Sequence, residues 1–174
     1  MTRTELRRTP LCRTAFKKSG RSSEGGVETL GVNRGVVAAR IRRCGLVALR
    51  NENDKICGDI VRFRDGMTCR HCHLHVEGHN AQWSHILVRE LLGTRWNSRN
   101  AVLLCSKCHH GWWEGLSRKE QLVWAGAQLG EGELDQLWAE SIALLHDRQA
   151  FYESENARLR AEYQTLTGHT WGKT

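Results

Sequence analysis

The residues best suited to chemistry lie in the middle of the chain. Cys69-x-x-Cys72 and Cys105-x-x-Cys108 fall within a window of 40 residues, with 32 residues between the pairs. Each pair can present two thiolates on one tight knuckle, and two knuckles complete a tetrahedral four-thiolate zinc site with no open coordination position. A lone Cys-x-x-Cys is compatible with redox chemistry, but two of them in so short a window, in a reducing compartment, read as structural zinc. The chain has seven cysteines. An odd number with no secretory signal argues against a disulfide framework. Cys12, Cys44 and Cys57 have no partner at ligand spacing and read as ordinary free thiols.

Between and beside the knuckles stand Trp83-Ser84-His85, Arg95-Trp96-Asn97-Ser98-Arg99-Asn100 and Leu104-Cys105-Ser106-Lys107-Cys108-His109. His85 precedes Asn100 by 15 positions, and Asn100 precedes His109 by 9. A histidine can deprotonate water near neutral pH. A cation held with open positions can act as a Lewis acid. The four-cysteine zinc, with no open position, can do neither.

This constellation resembles the HNH endonuclease family in its zinc-knuckle form, over about residues 56–115. The resemblance implies an α+β fold with a small ββα-metal core, stapled by the four-cysteine zinc. It also implies metal-dependent hydrolysis of DNA phosphodiesters, by nicking or double-strand cutting. On this sequence His85 would be the general base, Asn100 would hold the loop that positions it, and His109 would bind the catalytic Mg2+ or Mn2+. Two positions depart from the family pattern: Ser84 stands where many members have a metal-binding Asp, and Trp113 where many have a second polar helix residue. Ser84, Glu114 or the substrate phosphate would complete the metal shell, with His110 a neighbour rather than a ligand. The basic arm, the Arg64-Asp65-Gly66 turn and the helical tail are similar to phage-encoded members, including NinG-type recombination proteins.

The elements that must position these residues are partly readable. Residues 53–64 read as a helix capped by Asn53 or Asp54, with Ile56, Ile60 and Phe63 on one face and Asp65-Gly66 ending it. Gln82–Val88 and Ala101–Leu104 read as short strands. Ser117 and Glu120 form a capping box ahead of a helix. A long helix is expected from about Glu133 to Leu166, where Trp138, Leu145, Tyr152, Leu159 and Leu166 recur every seven residues. Such a stripe could pair with a second copy in a homodimer or pack back on the body. The expected organisation is a basic flexible arm (1–26), a connecting segment (27–52), an HNH core with its zinc site (53–115) and a C-terminal helical extension (116–174).

Charge points to the partner. Of the formal +7, residues 1–50 carry 12 Lys/Arg against 3 Asp/Glu, while residues 51–174 carry 14 against 16. A basic segment on a near-neutral body suits a polyanion. Arg13, Lys17 and Lys18 of the arm, with Arg89, Arg95 and Arg99 between the histidines, are the expected phosphate contacts on DNA. With no apolar run long enough to span a bilayer and no secretory signal, no membrane is expected, and the cytoplasm of a bacterial or phage-infected cell is the expected location. The competing reading is a catalytically silent, zinc-stabilised DNA-binding accessory in phage recombination or packaging.

Overall fold

The computed structural model describes residues 34–130, 132–142 and 147–172. The chain divides into units 1–45 and 46–174, and the second carries the site. The fold is α+β: helix α1 (Arg34–Arg64), strands β1 (Ala81–His85) and β2 (Ala101–Cys105), a helical turn at Cys108–Trp113, then α2 (Arg118–Leu129), α3 (Glu133–Ser141) and α4 (Arg148–Thr167).

The expected helix at 53–64 is the last third of α1, which runs on through Gly45. Ala38, Ala39, Leu46, Ala48 and Leu49 are strong helix formers and outweigh Gly45, which costs about 1 kcal/mol. Asn53 and Asp54 are therefore interior residues rather than caps, and both find tertiary partners. Asn53 is fully buried; its Nδ2 donates to the Tyr152 carbonyl (3.0 Å) and its Oδ1 accepts from Asn156 (2.7 Å). The buried face of α1 is Asn53, Ile56, Cys57, Ile60 and Val61, whereas Phe63 is exposed. Ile56 and Ile60 pack with Trp96, Tyr152 and Leu159 in one apolar cluster.

β1 and β2 form a two-stranded antiparallel sheet, with Ala81 opposite Cys105 and His85 opposite Ala101. Every residue of β2 is buried, as a continuous Ala-Val-Leu-Leu-Cys run requires when both faces are covered. The end of α1 is tied to this strand: Asp65 accepts from the Leu103 N–H at 2.8 Å, and Arg64 donates to the carbonyls of Ser98 and Ala101.

Ser117 and Glu120 form the expected reciprocal capping box of α2. The long C-terminal helix is instead two helices, because Asp147 caps a new start, its side chain accepting from the N–H groups of Gln149 and Ala150. Within the seven-residue stripe Tyr152 and Leu159 are buried against α1, while Trp138 and Leu166 are exposed; Leu145 lies outside the described residues. That packing occupies the middle of the stripe within the chain. Gly93, in the β1–β2 connection, lies under the end of α3, where an added Cβ would stand 2.3 Å from the Glu140 carbonyl oxygen.

Candidate functional site

The four expected zinc ligands converge. The sulfurs of Cys69, Cys72, Cys105 and Cys108 lie within 4.8 Å of one another, and Cys72 Sγ is 3.8 Å from Cys105 Sγ. A tetrahedral ion at about 2.3 Å from each sulfur requires edges of about 3.8 Å, so the cluster can hold a metal ion such as zinc. The first knuckle is closed by the Cys69 N–H donating to the Leu74 carbonyl, with His73 in a left-handed conformation (φ 59°). In the second, the Cys108 N–H donates to Cys105 Sγ at 3.3 Å. His71 stacks on Trp112 and places Nδ1 3.3 Å from Cys108 Sγ, ready to donate to a thiolate. Burial works against ionisation of Cys69, but backbone N–H groups of Cys72, Cys105 and His71 outweigh it and bring the thiol to about 7. Cys108 is pushed the other way by burial and by sharing its site with three other sulfurs. Four thiolates this close need a cation between them. Cys57 stands apart, buried, its Sγ donating to the Trp96 carbonyl.

His85 ends β1, and a loop of irregular turns leads to Asn100 at the start of β2. Asn100 is fully buried and clamps that loop at both ends. Its Oδ1 accepts from the Leu87 N–H (2.7 Å), and its Nδ2 donates to the carbonyls of Leu87 (3.2 Å) and Thr94 (3.1 Å). One residue beyond Thr94, the Arg95 carbonyl accepts from His85 Nε2 at 2.9 Å. Nε2 thus carries the proton, and Nδ1 is left with the lone pair that can accept one. Burial holds the His85 pKa below its ordinary value, with the Arg95 guanidinium adding to that and its carbonyl bond opposing it. Arg118, from the start of α2, donates to the Ile86 carbonyl directly after His85.

His109 sits in the helical turn that follows Cys108. Its Nδ1 donates to Gln82 Oε1 of β1 at 2.7 Å, and its Nε2 lies 3.8 Å from Glu114 Oε1. His110 Nδ1 lies 3.2 Å from the same carboxylate oxygen. His109, His110 and Glu114 place their ligand atoms within 4.8 Å of one another, a second group able to hold a metal ion. Burial also lowers the His109 pKa.

The two histidines are not in direct contact: among the described residues no hydrogen bond or ion pair joins His85 to His109. Side chains alternate across a strand. Gln82 and Ser84 share the face that meets His109; Trp83 and His85, their rings 4.5 Å apart, share the other. Ser84 is buried.

The arginines expected at phosphate differ in their surroundings. Arg95 is nearly buried and pairs with Asp54 through two bonds, Nε to Oδ1 at 3.0 Å and Nη2 to Oδ2 at 2.8 Å, while its third nitrogen donates to the Arg89 carbonyl. Trp96 Nε1 donates to the same Asp54 carboxylate at 2.7 Å. Arg99 is held by Glu133 and Glu140, each at 2.8 Å. Both guanidiniums tie the loop to the helices, Arg95 from a buried position and Arg99 from a partly exposed one. Arg89 is the exposed one, with only a 3.6 Å pairing to Glu90. Arg13, Lys17 and Lys18 lie outside the described residues.

Compared with protein-family models, curated proteins and solved structures, the chain matches none. Its function must be read from its own residues. Among the described residues, no helix is long and apolar enough to cross a membrane. The parts Gln82 and Asp54 play as partners of His109 and Arg95 are not readable from sequence, because contacts 27 and 41 positions apart leave no local signal.

Proposed function

We propose that the chain is a metal-dependent HNH-type endonuclease that hydrolyses DNA phosphodiester bonds, with a zinc-stapled ββα core and phage-encoded relatives. The observation that carries this is the Asn100 clamp, which fixes the loop whose Arg95 carbonyl sets the His85 tautomer. His85 Nδ1 takes the proton from a water whose oxygen attacks phosphorus, and the bond from phosphorus to the leaving oxygen breaks. A divalent metal bound at His109, Mg2+ or Mn2+, would supply the positive charge that the phosphorane and leaving oxygen need. Asn100 acts as a positioning residue and the basic segment 1–50 supplies non-specific affinity for the DNA backbone.

A second reading is a silent zinc-stabilised DNA-binding accessory. It is favoured by Ser84 and Trp113, which are both buried and offer a metal little where many family members have a metal-binding Asp and a second His or polar residue. Nicking of supercoiled plasmid by the zinc-loaded protein separates the two. Open-circular or linear product that requires added Mg2+ or Mn2+ supports the nuclease. Salt-sensitive binding with no product under any divalent ion supports the accessory.

A further inference from the structure

The helical turn after Cys108 is not an α-helix. Over Cys108–Trp113 it is wound as a π-helix, and the Glu114 N–H donates to the His109 carbonyl five positions back, at 3.0 Å. In an α-helix the residue above His109 would be Trp113, which is instead buried in the core. The wider winding brings position 114 over position 109, and single π-turns of this kind gather at functional sites.

We propose that this π-turn builds the divalent-metal site, with His109 Nε2, His110 Nδ1 and Glu114 as its three protein ligands and Gln82 as the positioning residue. The assignment rests on the nuclease reading for its purpose but on these contacts for its existence. Gln82 accepts the Nδ1 proton of His109, while its own Nε2 is directed at the His79 carbonyl (3.4 Å), which fixes the amide orientation. The lone pair of His109 therefore lies on Nε2, the nitrogen that faces Glu114. Ligating histidines characteristically give their other N–H to such an acceptor, and losing it typically costs 10–100-fold in metal affinity. Ligands sharing one ion at about 2.1 Å stand roughly 3.0–3.4 Å apart. The observed 3.8 Å and 3.2 Å to Glu114 Oε1 reach that range by a small rotation of a half-exposed carboxylate. Two imidazoles and one carboxylate leave further positions for water or a phosphate oxygen. Two imidazoles favour zinc and the other later transition ions, while the carboxylate and open positions also admit Mn2+. Glu114 thus takes over the part that Trp113 cannot play.

Mn2+ titration of the full chain carrying one equivalent of zinc, enough for the four thiolates alone, followed by loss of the free-ion electron paramagnetic resonance signal, tests this without reference to cleavage. Mn2+ is too hard a cation to displace zinc from four thiolates. Wild type should take up one Mn2+. Glu114→Gln and His110→Ala should each weaken it at least ten-fold with zinc content unchanged. Gln82→Ala should weaken it by about ten-fold or more, and Gln82→Glu should restore it. No Mn2+ uptake by wild type, or uptake unchanged in Glu114→Gln and His110→Ala, overturns the site. Uptake as described together with no plasmid cleavage would retain the site and reject the nuclease; cleavage with unaltered uptake in both variants would do the reverse.

Discussion

The Arg95 carbonyl accepts a hydrogen bond from His85 Nε2 at 2.9 Å, while the Arg95 guanidinium is bound to Asp54 of α1. One residue thus couples the candidate base to the longest helix. Its backbone sets the tautomer, and its side chain fixes where that backbone lies.

Burial lowers the His85 pKa from its ordinary value of 6.5. Above 6.5 the folded and unfolded chains both carry neutral His85, and the residue adds no pH dependence. As pH falls below 6.5 the unfolded chain takes up the proton first, so stability is lost until pH passes the folded pKa. The imidazole C2–H resonance of His85 in the zinc-loaded protein should titrate with a midpoint below 6.5. A midpoint at or above that value contradicts the buried, carbonyl-bound ring.

Zinc removal should unfold much of the 46–174 unit, because the four cysteines join the first knuckle to the end of β2 and the helical turn. Addition of a strong chelator is expected to lower Tm sharply and broaden the transition. Cobalt substitution should give the thiolate-to-metal absorption of a four-sulfur site. A transition unmoved by chelation of all bound zinc would count against a structural metal.

Arg95 and Arg89 should behave oppositely on mutation. Arg95→Ala leaves Asp54 without its bidentate partner and should cost on the order of 3 kcal/mol of stability, read from urea unfolding. Arg89→Ala should leave stability within about 0.5 kcal/mol. It should reduce the slope of log DNA affinity against log salt by about 1. Equal effects of the two changes on stability would refute the separation of roles.

Gly93→Ala should be severe for a one-carbon change, because the added Cβ meets backbone rather than a movable side chain. A loss of about 2 kcal/mol or more is expected, since the β1–β2 loop must move away from α3 to admit it. Thermal melts decide it: a Tm within a degree of wild type would show that the loop and α3 are not in this contact.

The parts of this molecule that are local in sequence were legible there. Knuckle spacing, the Ser117–Glu120 box and the two strands each depend on residues a few positions apart, and each is visible as a pattern, although β1 ends at His85 rather than Val88. The break between α3 and α4 was written in Asp147, a good cap, but a seven-residue stripe running through it masked the signal. The carboxylate partners of Arg95 and Arg99 leave no local signal, because Asp54 and Glu140 each lie 41 positions away. Glu114 stood among the candidates, but nothing in a 3.6-residue period could show that a π-turn sets it over His109. Asn100 is readable as a loop residue by resemblance, and its three side-chain hydrogen bonds to Leu87 and Thr94 give that reading physical content.

The central claim is that His85 activates water on a DNA phosphodiester. The most direct measurement compares wild type with His85→Ala in plasmid nicking under Mg2+ and Mn2+, with zinc content and DNA affinity matched. A loss of about 10²–10⁴-fold in rate is the expected result for removal of a general base. Cleavage by the variant at the wild-type rate, with contaminating nuclease excluded, would contradict it.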